Sequence, residues 1–174
     1  MIKQHQYKQL AVVLEEQCDL QWEISKIRGT DKLDNWTPIV EDSENEICLG
    51  IAKSGYWVST RGKFIVPLLE NNILRDLLPY FKKTRSKTTL LLRKSLEERG
   101  FPGGIEQSFP IDTLISSGLK FESDYWAGLA LNWIEGMTVN EEIQIELQKV
   151  VVAKWASQKT RHRARKLLVS AKRT

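Results

Sequence analysis

Residues 138–174 read TVNEEIQIELQKVVVAKWASQKTRHRARKLLVSAKRT, and no other stretch says as much about the architecture. Thr138-Val139-Asn140-Glu141 has the form of a capping box, in which a Thr hydroxyl and a Glu carboxylate close orphan backbone donors at a helix start. No Gly or Pro lies between Glu141 and Thr174, so the pattern predicts one long helix to about Ala171. At 100° per residue, Val139, Ile143, Leu147, Val150, Ala153, Ala156, Thr160, Ala164, Leu168 and Ala171 form one stripe, bulky in its first half and small in its second. Val151, Val152 and Trp155 point elsewhere, which predicts a segment around Val150–Ala156 buried on all sides.

Charge gives this end its second distinction. Past Glu146 there is no acidic residue, whereas nine cations follow: Lys149, Lys154, Lys159, Arg161, Arg163, Arg165, Lys166, Lys172 and Arg173. The rest of the chain holds 17 cations against 22 acids. A net charge of +4 therefore conceals a polarised molecule. Lys159, Arg161, His162, Arg163, Arg165 and Lys166 fan across the side away from the stripe, with Lys172 and Arg173 beyond.

Two readings of this face stand side by side. It is a solvated helix surface, or one matched to the chain's own acidic loop Glu41–Glu46; alternatively it docks something anionic. Cations along one helical edge release counterions on meeting phosphates, which gives sequence-tolerant, salt-sensitive binding. Arg dominates Lys between 161 and 165, and its planar fork suits phosphate or carboxylate. A second basic cluster, Lys82, Lys83, Arg85 and Lys87, is read as part of a connection. It is either a solvated linker or a supplementary phosphate contact.

The totals bound the rest. A chain of 174 residues fits one domain and buries a substantial core, and six Trp argue against disorder. Leu10–Leu14 is too short an apolar run for a signal-peptide core or a membrane span, so no membrane partner is expected. Cys18 and Cys48 lie far apart without a CxxC pattern, consistent with buried reduced thiols and a cytoplasmic location.

From the N-terminus, Tyr7, Leu10, Ala11, Leu14 and Cys18 predict a helix over about Gln4–Cys18. Leu20, Trp22 and Ile24 alternate as in a half-buried strand, and Trp36–Val40 gives a short extended piece that Pro38 assigns to an edge. Glu46–Ala52, Tyr56–Thr60 and Lys63–Val66 complete a small antiparallel β-meander over about 20–66. Pro67 is placed in the first turn of a helix carrying Leu69, Ile73 and Leu77, which Pro79 ends or kinks. Further helices are expected over about Thr88–Arg99, from Pro110 to Gly118, and from a cap at Ser123, the last carrying Trp126, Leu129, Ala130, Trp133 and Ile134. That helix is expected to pair with the long one as an antiparallel hairpin across Gly136-Met137. Phe101-Pro102-Gly103-Gly104 is the best hinge or seam. The expected fold is thus α+β: an N-terminal helix, a β-meander and a helical C-terminal half ending in a long basic helix. Its two parts, 1–100 and 101–174, are expected to pack as a single domain.

Chemistry-bearing motifs are sparse. No P-loop or dinucleotide fingerprint is present. With His5 and His162 the only histidines, a His-based metal site is not expected. The acidic loop lacks the Gly and terminal Glu of an EF-hand. Asp112, Glu122, Asp124 and Glu135 are scattered among helices, and nothing pairs Cys48 with a His, so a non-catalytic protein without cofactor or metal is expected. Two functions remain. The favoured one is a module docking nucleic acid through the basic C-terminal helix. The alternative is a protein-interaction or assembly module, an oligomer or heterocomplex subunit, in which the stripe Ala153, Ala156, Ala164 and Ala171 packs on a partner helix and the cations meet an acidic protein surface.

Overall fold

A computed structural model describes residues 10–15, 20–69 and 74–171. The chain forms two compact units, one of Met1–Leu69 and Ser86–Pro110, the other of Glu70–Arg85 and Ile111–Thr174. The fold is a mixed α+β one, strand-rich first and helical after.

In the first unit, strands β1 (Glu23–Ile27), β2 (Leu33–Asp42), β3 (Ile47–Ala52), β4 (Trp57–Arg61) and β5 (Phe64–Pro67) form the expected antiparallel meander. The meander then closes into a barrel through a parallel pairing of β1 with β5 at Lys26↔Phe64 and Ile27↔Ile65. Strand one thus lies later than the Leu20–Ile24 alternation suggests, and Pro67 ends a strand instead of starting a helix. Pro38 sits in a long strand paired on both sides rather than in an edge strand. It is tolerated because β1 pairs with β2 only over Leu33–Trp36, and the register shifts between Pro38 and Val40. The acidic segment is the end of β2 and the β2–β3 turn, where the Asp42 carboxylate accepts from the Asn45 amide at 3.2 Å.

Each strand contributes to one cluster: Trp36, Ala52, Val58 and Ile65 are buried together, with Ile27, Cys48 and Tyr56 packed against them. Trp36 is the largest side chain of that cluster. Its Nε1 donates to Ser25 Oγ at 3.0 Å, satisfying the buried N–H. Gly50 makes the room: a Cβ there would lie 2.5 Å from Trp36 Cε3 and closer still to the Thr37 carbonyl oxygen. On the outer side, Trp57 stands edge-to-face on Phe109 at 5.2 Å and donates to Ser108 Oγ at 2.9 Å. Helix α1 (Arg85–Glu97) buries Thr88, Leu92 and Leu96 along one line. The buried Glu106 carboxylate, on the 310 helix Ile105–Ser108, accepts from Arg93 Nε and from the Gly104 amide, each at 3.0 Å. Of the expected N-terminal helix, residues 10–15 are helical with Leu10 and Leu14 buried; the remainder lies outside the described residues, as do His5 and Cys18.

The second unit holds the 310 helix Arg75–Lys82 around Pro79, then α2 (Ile111–Lys120), α3 (Asp124–Ile134), α4 (Glu141–Val152) and α5 (Gln158–Ala171). Gly118 does not stop α2. It lies within the helix, where a Cβ would come 2.6 Å from Phe81 Cε2, and Phe81 is itself edge-to-face with Trp133 at 4.9 Å.

The long C-terminal helix is not formed. It divides at Ala153–Ser157 into α4 and α5. Its start also differs: Asn140, not Thr138, caps α4, accepting from the Ile143 amide at 2.9 Å. The segment Val150–Ala156 is not buried all round, since Val152 is 78% exposed. Nor does α3 form an antiparallel hairpin with the last helix. Asp124 meets Ser157 at their N-terminal ends, and Ile134 and Leu167 line one groove at their C-terminal ends, so α3 and α5 run side by side in the same direction.

Candidate functional site

The break between α4 and α5 is built by hydrogen bonds rather than by Gly or Pro. Three β-branched residues, Val150–Val152, weaken the helix just before it. Ser157 Oγ accepts from the Thr160 amide at 3.2 Å, capping α5. Across the bundle, Asp124 Oδ1 accepts from the Ser157 amide at 2.7 Å. That amide and the Thr160 hydroxyl hold the Asp124 carboxyl below its ordinary value of 3.8. The Arg161 guanidinium then closes the gap from the other side, donating to the carbonyls of Ala156 at 2.6 Å and Ala153 at 3.2 Å.

Arg161→Ala leaves both carbonyls without their charged donor and is expected to destabilise the helical unit by roughly 1–2 kcal/mol, the site being half exposed. Asp124→Asn should cost less. Because the Asp124 carboxyl titrates below its unfolded value, its contribution is present in full above about pH 4 and disappears as the pH falls through its folded range. Thermal melts at pH 7 and pH 2.5 check both: the gap between wild type and Asp124→Asn should narrow at the lower pH.

The break changes what the cations do. Viewed down α5, Thr160 and Ala164 are buried, with Leu167, Leu168 and Ala171 partly so on the same side. Arg161 and Arg163 lie at the two edges of that buried stripe. Arg163 is occupied as fully as Arg161: Nη2 donates to Asn132 Oδ1 at 2.6 Å and Glu135 Oε1 at 2.8 Å, and Nη1 to the Gly128 carbonyl at 3.3 Å. Asp124, Gly128, Asn132 and Glu135 thus form the face of α3 that meets α5. Lys159, His162, Arg165 and Lys166 remain on an outer arc of roughly 120°, all exposed. Gln158, Lys159, Arg161, His162 and Arg165 line an open concavity of about 610 Å³ there. The first turn of α5 carries no acid. Lys172 and Arg173 lie outside the described residues.

The second basic cluster is placed elsewhere. Lys82 ends the 310 helix and Lys83 follows it, and Arg85 and Lys87 open α1 instead of lying on a connection. Arg85 Nη1 donates to the Trp133 carbonyl at 2.8 Å, and Trp133 Nε1 to the Lys83 carbonyl at 2.9 Å. Lys83 and Arg85 therefore dock at the C-terminal end of α3, away from Asp124 and the first turn of α5. The small-residue stripe is likewise engaged within the chain, with Ala156 and Ala164 buried in its own unit.

Other reactive groups are held apart. The Cys48 thiol is pushed up to about 11 by burial first and by Glu41 and Glu23 next, so it stays protonated at neutral pH. The Asp34 carboxylate accepts from Ser54 Oγ and from the Tyr56 hydroxyl, which burial and that acceptor push up to about 12. Asp112 is tied to Asn140 Nδ2 at 2.7 Å, while Asp124 is held by Ser157 and Glu135 by Arg163. Among the described residues, no group of three or more His, Cys, Asp or Glu could hold a metal ion, and no helix is long and apolar enough to cross a membrane.

Asp124 and Ser157 are the residues that sequence reasoning missed. The available signal was local: a Ser placed to cap, just after a run of three valines and ahead of a polar helix. No family model, curated protein or solved structure matches the chain.

Proposed function

We propose that this protein is a non-catalytic module that docks nucleic acid on the outer arc of α5, through Lys159, His162, Arg165 and Lys166. The observation that carries the reading is their division of labour with their neighbours. Arg161 and Arg163 are occupied by carbonyls and by Glu135, whereas the side chains of the outer arc make no hydrogen bond or ion pair among the described residues. Like charges left unneutralised on one rigid surface repel one another, and a polyanion relieves that repulsion while releasing its own counterions. The open, shallow concavity suits a phosphate backbone better than a small enclosed ligand. Fluorescence polarisation of a labelled oligonucleotide against the full chain at low salt tests this. Saturable binding is expected, and none at all would end the proposal.

A second reading, assembly, rests on the barrel. Ile24, Leu33 and Phe64 are 69%, 67% and 44% exposed, and the strand register sets Leu33 and Phe64 on either side of Lys26, which shares its face of β1 with Ile24. Exposed apolar side chains grouped around one lysine in this way are a candidate interaction surface. Light scattering showing a dimer that Phe64→Glu disperses would favour it; a monomer at high concentration would not.

A further inference from the structure

The sequence shows no aromatic among the cations of residues 158–171, yet the fold places aromatics at the same end of the α3–α5 pair as the start of that run. Asp124 accepts from the Ser157 amide, so the residues beside Asp124 on α3 stand at the same end of the α3–α5 pair as Lys159. Those residues are Tyr125 and Trp126. Their rings meet edge-to-face, with centroids 4.8 Å apart and planes at 73°. Tyr125 is 56% exposed, while Trp126 is half-buried. Trp126 therefore packs against the ring of Tyr125, a residue that stays largely exposed to solvent. Trp155, also half-buried, and Lys154, exposed, come to the same end from the break.

Resting on the nucleic-acid reading of α5, we infer that Tyr125 is a base-stacking platform and that the strand docked on α5 is single-stranded. An unpaired base exposes its π-face, which a duplex hides, and stacking on a held aromatic ring accepts every base. A ring fixed beforehand by Trp126 loses little conformational freedom on binding. The phosphates of the same strand then reach Lys159 and the outer arc of α5, the pairing of stacking surface and cations that single-strand binders combine. A duplex would meet the cations alone.

The test uses the full chain, a labelled thymidine 12-mer and a duplex of equal length, at one salt concentration. The single strand is expected to bind more tightly than the duplex. Tyr125→Ala should weaken single-strand binding roughly tenfold, a typical loss for one stacked base, while leaving duplex binding and the salt dependence unchanged. Tyr125→Phe, which keeps the ring, should bind as wild type, and matching circular dichroism spectra exclude misfolding as the cause. If Tyr125→Ala binds the single strand as well as wild type, the stacking role is wrong although docking on α5 stands. If the oligonucleotides do not bind at all, both fall. A polyglutamate of matched charge that displaces the single strand as well as unlabelled 12-mer does would also overturn the assignment.

Discussion

Gly50→Ala is expected to unfold the barrel, or at least to destabilise it by about 3 kcal/mol or more, the upper end of what overpacking a core costs. The added methyl meets two neighbours. One is the Trp36 ring, 2.5 Å away at Cε3, and the other is the main-chain oxygen of Thr37. A side chain turns aside, but this ring is buried in the barrel cluster and its N–H is held by Ser25. The Thr37 oxygen belongs to the strand paired with β3, opposite Ile51 in the register. Relief therefore requires β2 and β3 to separate. Trimming the ring does not rescue the variant, because Gly50→Ala with Trp36→Leu keeps the carbonyl clash and adds a cavity. Urea midpoints followed by near-ultraviolet circular dichroism give the comparison, and a double variant as stable as Trp36→Leu alone would show this role of Gly50 to be wrong.

Replacing Lys159, Arg165 and Lys166 together by Gln is expected to reduce nucleic-acid affinity roughly a hundredfold or more at 0.1 M salt. On a single strand each phosphate contact contributes about 0.7 of a decade in affinity per decade of salt, so three contacts account for about two decades. Stability should hardly change, since none of the three side chains carries a hydrogen bond or ion pair among the described residues. Arg161 and Arg163 behave in the opposite way. Their guanidinium groups hold the break and the α3 face, so their removal lowers the melting temperature before it touches binding. Five cations clustered in sequence thus divide into a hydrogen-bonded set and an outward-facing set. Equal loss of affinity on neutralising either set would contradict that division.

Much of the architecture was legible along the chain because it is local. Alternating strand residues and short turns mark the meander, and Leu92 and Leu96 in α1 or Ala130 and Trp133 in α3 follow helical spacing. Barrel closure was not legible. It rests on two residue pairs between β1 and β5, distant in sequence, and nothing in either strand announces the partner. Pro38 shows a rule applied too broadly: the proline needs an unpaired N–H position, and a strand paired on both sides supplies one where its neighbour ends. Gly118 has the form of a helix stop along the chain, although its missing Cβ makes room for Phe81. The C-terminal break is the instructive miss. No breaker residue lies there, and the bonds that fix it come from Asp124, 33 positions from Ser157, and from the side chain of Arg161. The basic character of the C-terminal end was legible by counting. Which cations face outward was not, because Arg163 is sorted by Gly128, Asn132 and Glu135 from another helix.

Everything functional here depends on α5 meeting phosphates through its outer arc. The most direct test is the slope of log affinity against log salt for one labelled 12-mer, measured with wild type and with the Lys159, Arg165 and Lys166 triple variant. A steep negative slope is predicted for wild type, shallower by about two in the variant. A slope that is the same in both proteins would place the phosphates elsewhere and contradict the role of the outer arc.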